Sequence, residues 1–103
     1  RRDTAGYKAA LELFDSYVPR ILQALLKDDL LIITADHGCD PTYKGTDHTR
    51  EYAPLIAYSK SMRGGVDLGL RSSFADTAAT VAEYFQLPES LTVGRSYLAE
   101  LKL

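Results

Sequence analysis

An apolar run, Leu30-Leu31-Ile32-Ile33-Thr34, stops abruptly at Asp36-His37 and gives way to a polar stretch that lasts to Ala53. A short continuous apolar run without alternation is the pattern of a strand covered on both faces, the usual state of a central parallel strand. In open α/β sheets, ligands bind outside the carboxyl ends of such strands. The polar stretch holds both histidines of the chain, His37 and His48, and three aspartates, Asp36, Asp40 and Asp47. The chemistry is therefore expected at the end of this strand.

The flanking sequence supplies the rest of an α/β pattern. From Asp3 to Lys27, Tyr7, Ala10, Leu11, Phe14, Tyr17, Val18, Ile21, Leu22 and Leu25 recur at helical spacing and predict a core-facing stripe. Pro19 interrupts it, which predicts either a kink or two helices, the second capped by Asp15 or Ser16. Pro54 to Ser59 reads as a second strand, with Pro54 tolerated at its first position. Lys60 to Leu70, punctuated by Gly64, Gly65 and Gly69, reads as a turn or a short edge hairpin. Ser73 is placed to cap a second helix with Asp76 in its first turn and Ala78, Val81, Ala82 and Phe85 on its apolar face. Leu87-Pro88 closes that helix, and a loop with one final helical turn fills Glu89 to Leu103. Helix, strand, long loop, strand, helix is an α/β arrangement and a portion of a doubly wound sheet, with two strands against the roughly five of a typical sheet.

Composition removes several functions. Twelve basic against fourteen acidic residues leave a net charge of −2, so no basic field exists to gather nucleic acid or an anionic membrane surface. No apolar run approaches the roughly 20 residues that span a bilayer. A single cysteine, Cys39, cannot form an internal disulfide, which fits a reducing, cytoplasmic compartment. The opening Arg1-Arg2-Asp3, directly before a helical pattern and without an initiator methionine, is the expected look of a piece of a longer polypeptide.

Aspartate offers a hard anionic oxygen and neutral imidazole a borderline nitrogen, a pairing that suits manganese or zinc better than calcium. Adjacent residues on a regular strand point to opposite faces, so Asp36 and His37 reach one ion only if the backbone turns after the strand. A loop containing Pro41 and Gly45 is able to bring His48 to the same cation or to a neighbour. Two-metal sites of this kind clamp a phosphoryl group during in-line transfer. The plainer reading is a turn, with Asp36 bonded to local amides and Gly38 at a positive φ. Cys39 reads as a bystander, and Asp40 and Asp47 as acceptors that order the loop. Arg50 pairs with Glu51, orients an aspartate or meets a phosphate. Tyr43 and Tyr52 are packing residues, as are Tyr7, Phe14 and Tyr17.

Thr34-Ala35-Asp36-His37-Gly38, then Asp40-Pro41-Thr42, then Gly45-Thr46-Asp47-His48-Thr49-Arg50-Glu51, closely resembles the metal-binding signature of bacterial phosphopentomutases. These belong to the alkaline phosphatase superfamily, together with cofactor-independent phosphoglycerate mutases. The likeness extends over nearly the whole chain, including Arg1-Arg2-Asp3 and Phe74-Ala75-Asp76. It implies an isomerase that interconverts ribose or deoxyribose 1-phosphate with the 5-phosphate, using two manganese ions, a phosphorylated threonine and a bisphosphorylated sugar activator. Carried across by motif, it makes Asp36 and His37 ligands of the metal that also meets the phosphothreonine, and His48 a ligand of the second. Asp47, Thr49 and Arg50 become candidates to steady a ligand or meet a phosphate. The family's remaining ligands, its nucleophilic threonine and its cap domain have no counterpart here, and none of the eight threonines matches the nucleophile's context. The resemblance thus implies that residues 1–103 are the C-terminal part of the metal-binding core domain, inactive alone, with the rest of the same polypeptide as partner. Alternatives are another phosphomutase or phosphohydrolase of that superfamily, or a non-catalytic metal-binding module.

Overall fold

The computed structural model describes residues 3–42, 52–88 and 93–103, in the order α1 (Thr4–Ala24), β1 (Leu31–Thr34), β2 (Leu55–Tyr58), α2 (Ala75–Tyr84) and a 3-10 turn (Leu98–Leu101). This is the α/β order expected. The chain divides into two compact units, Arg1–Lys60 and Ser61–Leu103.

In the first unit, α1 begins where Asp3 caps it: the carboxylate accepts the Gly6 amide at 2.9 Å, satisfying one of the amides that a helix start leaves unbonded. The cap leaves no room beside it, because a Cβ on Gly6 would collide with the Asp3 carboxylate. Pro19 lies inside this single helix and does not divide it in two. Ser16 does not cap a second helix either; its hydroxyl donates back to the Leu13 carbonyl at 2.6 Å. The helix ends at Ala24, earlier than its apolar spacing predicts, and Asp29 then accepts the Leu26 amide at 2.8 Å to shape the turn into β1. No α1 residue is buried, and Tyr7, Phe14 and Tyr17, expected in the core, are 38%, 47% and 48% exposed. Periodicity reports that a face is apolar, not that this chain carries what covers it.

β1 pairs with β2 in antiparallel register, Leu31 opposite Tyr58 and Thr34 opposite Leu55. The parallel neighbour expected for β1 is thus replaced, on the side described, by an antiparallel one. An unbroken apolar run encodes burial, and it is silent on the direction of the strand beside it. Every β1 residue is half-buried, whereas β2 alternates, with Ile56 and Tyr58 outward. Pro54 sits just before β2, where its missing N–H costs no ladder bond.

The second unit has a small core of unusual make-up. Tyr97 and Leu101 are almost wholly buried, together with Ala79, Ala82, Thr80 and Asp76. Of the predicted apolar face of α2, only Ala82 is buried; Ala78, Val81 and Phe85 face outward. The helix is rotated because its polar residues are satisfied inside. Asp76 accepts the Arg95 amide at 3.0 Å and the Arg71 guanidinium at 2.9 Å. Thr80 donates to the Asp76 carbonyl at 2.8 Å and accepts the Tyr97 amide at 2.9 Å. Arg71 also reaches Glu100 at 3.2 Å and lies 5.4 Å from the centre of the Tyr97 ring. Gly94 is obligatory in this arrangement, since any Cβ there would enter the backbone of Ala75 and Asp76. Ser73 is not the cap expected of it: Phe74 holds that position without a side-chain cap bond, and Ser73, one residue earlier, accepts the Ala75 amide at 3.0 Å. The hairpin considered for Lys60 to Leu70 is absent among the described residues; Asp67 instead takes the Gly69 amide at 2.8 Å, and Gly69 adopts a φ of 67°.

The Arg95 amide, against the cost of burial and with help from Arg71, holds the Asp76 carboxyl below the usual carboxylate range. Burial opposes the charge on Arg71, but its bonds to Asp76 and Glu100 outweigh this and raise it above its ordinary value. A depressed carboxyl contributes stability above its unfolded value and loses it as pH falls through the folded one, so this contribution should vanish only below about pH 4. Asp76→Ala leaves the Arg95 amide and the Nε of Arg71 without their acceptor, while Arg71 keeps Glu100 and the Arg95 carbonyl, and is expected to cost about 1 to 3 kcal/mol, read as urea unfolding by tyrosine fluorescence. Asp76→Asn should remove this part of the acid dependence, and an unchanged acid-unfolding curve would contradict the assignment.

Candidate metal centre

β1 ends at Thr34, and the backbone bends at Asp36 and His37. The bend undoes the opposite-facing arrangement of a regular strand. It brings Asp36 Oδ1 within 3.6 Å of His37 Nε2. Two donors each about 2.1 Å from one ion lie about 3 to 3.5 Å apart, so the pair stands near the spacing a shared cation requires. His37 Nδ1 lies 2.7 Å from the Gly38 carbonyl. A carbonyl only accepts, so Nδ1 carries the proton and, in the neutral ring, Nε2 carries the lone pair. This is how metal-binding imidazoles are generally held. The plainer reading, in which Asp36 closes a turn, is not what the bend displays: its carboxylate is 81% exposed and directed to the imidazole. The donor set of one carboxylate and one oriented imidazole fits a divalent cation of the manganese or zinc type.

The segment beyond His37 is held locally. Tyr7 of α1 donates its hydroxyl to the Cys39 carbonyl at 3.4 Å. Asp40 accepts the amide and hydroxyl of Thr42 at 2.9 and 2.6 Å, the loop-ordering role expected of it. The Thr42 hydroxyl first, and its amide second, keep the Asp40 carboxyl below its usual range. On the strand side, Thr34 donates its hydroxyl to the Pro54 carbonyl at 2.7 Å. Sequence reasoning missed Tyr7, which its spacing assigned to the core, and Thr34, which looked like a strand residue alone.

His48, Asp47, Thr49 and Arg50 lie outside the described residues. Among the described residues, no group of three or more His, Cys, Asp or Glu side chains forms a cation site. Asp36 and His37 are therefore the part of the predicted ligand set that can be located.

A family profile described as Metalloenzyme superfamily matches residues 1–89. The chain belongs to the Metalloenzyme superfamily. Over all 103 residues it is 57% identical to a phosphopentomutase of Caldanaerobacter subterraneus subsp. tengcongensis, of which it spans 26%. Phosphopentomutases of Shewanella sp. (strain MR-7) and Desulfitobacterium hafniense are each 55% identical over 95% and 98% of the chain. The chain spans about a quarter of the length of these relatives. Among the described residues, no helix is long and apolar enough to cross a membrane.

Cys39 is half-buried beside this pair, and its backbone carbonyl is what Tyr7 engages. Cys39→Ser in the full-length polypeptide is expected to leave turnover within a few-fold, whereas His37→Ala should lower it at least about 100-fold, beyond the loss of a merely supporting partner. Comparable losses in the two variants, measured as steady-state turnover, would place the thiol in the site.

Proposed function

We propose that residues 1–103 form the C-terminal part of the metal-binding core domain of a phosphopentomutase, an isomerase that interconverts ribose or deoxyribose 1-phosphate with the 5-phosphate. The observation that carries the reading is the Asp36–His37 pair at the end of β1, its oxygen and nitrogen 3.6 Å apart and its imidazole oriented by Gly38. The high identity to phosphopentomutases over the whole chain supports the substrate class.

In this reading Asp36 and His37 hold one manganese ion, and His48 serves a second. Such cations, when bound, offset the charge of a transferring phosphoryl group and set the line of its transfer. The carboxylate of Asp36 supplies negative charge, and the imidazole of His37 supplies a neutral donor fixed in one tautomer. Asp47, Thr49 and Arg50 steady these ligands or meet the sugar phosphate. The nucleophilic threonine, the remaining ligands and the cap that grips the sugar come from the rest of the polypeptide, which is cytoplasmic and uses a bisphosphorylated sugar as activator.

Transfer of this kind rests on positioning and charge stabilisation, and a partial ligand set provides neither in full. Purified residues 1–103 are therefore expected to show no conversion of ribose 1-phosphate in a coupled assay with manganese and a bisphosphate activator. Calorimetry should find no tight binding of two manganese ions. Turnover near that of the full-length polypeptide, or stoichiometric binding of two ions, would refute the division of labour proposed.

A further inference from the structure

Asp36 and His37 sit on a bend, and a bend holds two side chains at a fixed spacing only if both of its ends are fixed. Before the bend, the Thr34 hydroxyl donates to the Pro54 carbonyl at 2.7 Å. This bond is additional to the ladder, in which Thr34 stands opposite Leu55, and it ties the last residue of β1 to the entry of β2. Beyond the bend, the Tyr7 hydroxyl donates to the Cys39 carbonyl at 3.4 Å and links α1 to the chain two residues after His37. Between them, His37 itself takes the Gly38 carbonyl at 2.7 Å, and Gly38 is buried. Two hydroxyl-to-carbonyl bonds thus bracket the pair, one from Thr34 at the end of β1 and one from Tyr7 of α1, and neither hydroxyl belongs to the pair.

We infer that Tyr7 and Thr34 are positioning residues for the Asp36–His37 cation site, bracketing its bend so that the two donors keep their spacing before metal arrives. Neither hydroxyl is assigned a place among the ligands. Each acts by holding backbone, as do the outer partners that orient ligands in metal sites generally. The arrangement also accounts for Tyr7 within α1. The Asp3 cap starts the helix at Thr4, the Tyr7 amide donates to the Asp3 carbonyl at 2.8 Å, and the ring leaves the first turn toward the loop.

The inference rests on the proposed metal role of Asp36 and His37, and the test separates the two. Tyr7→Phe, Thr34→Val, Thr34→Ser and His37→Ala are made in the full-length polypeptide, and manganese affinity is measured by calorimetry beside turnover as a function of manganese. Tyr7→Phe and Thr34→Val are each expected to weaken manganese binding about tenfold, the lower end of the effect of outer partners. Turnover at saturating manganese should stay within about twofold of the parent, and Thr34→Ser should restore the affinity. A general structural role would instead lower the thermal midpoint of the metal-free protein and reduce saturated turnover, with no selective change in manganese dependence. That outcome overturns the inference. Manganese affinity within twofold of the parent in either Tyr7→Phe or Thr34→Val, while His37→Ala loses binding, overturns the assignment for that hydroxyl and leaves the metal reading intact. Unchanged binding in His37→Ala overturns the metal reading itself, and the inference with it.

Discussion

A strand cannot show two consecutive side chains on one side, so Asp36 and His37 meet only because the backbone leaves β1 at Thr34 and bends. That departure organises the first unit. β1 supplies a fixed point, through its register with β2 and the Thr34–Pro54 bond. The imidazole then closes on the next carbonyl, which settles its tautomer, and the carboxylate comes to face the nitrogen that carries the lone pair. The oxygen and the nitrogen end 3.6 Å apart, a separation that the proposed cation would share.

The second unit solves a different problem. Leu70, Phe74, Phe85 and Val93 stay exposed, and the buried centre is built instead around Asp76. Arg71, the Arg95 amide, Thr80 and Tyr97 satisfy one another there, and the described residues contain no buried side-chain nitrogen or oxygen without a partner. A network completed in this way specifies one arrangement, because each alternative packing would strand a charge or an amide. The last turn, Leu98–Leu101, is fastened to α2 by that network as well as by Leu101.

The order of elements was legible because it follows from local signals. An apolar run, the helical spacing before it and Pro54 each speak for their own positions. What sequence could not give was relational. The stripe of α1 is apolar, yet Phe14 and Tyr17 are about half exposed, since periodicity names a face without naming its cover. The rotation of α2 is not legible in the sequence because Asp76 and Thr80 look like surface residues until the distant Arg95 and Tyr97 amides meet them. Antiparallel pairing was hidden for a similar reason: a strand's composition records what lies above and below it, not which way its neighbour runs.

Gly6 shows how far such relations reach. The space its side chain would occupy is filled by the Asp3 carboxylate, so even a methyl group there must push the cap aside. The displaced cap would loosen the first turn of α1, where Tyr7 is anchored through the Asp3 carbonyl. Through Tyr7 the disturbance passes to Cys39 and the bend beyond it. Asp3, Gly6 and Tyr7 are thus linked physically, the carboxylate of the first filling the space beside the second and its carbonyl holding the amide of the third. A methyl group at Gly6 would therefore reach the bend at Asp36 and His37 only by way of the displaced cap and the Tyr7 hydroxyl, although Gly6 itself touches neither.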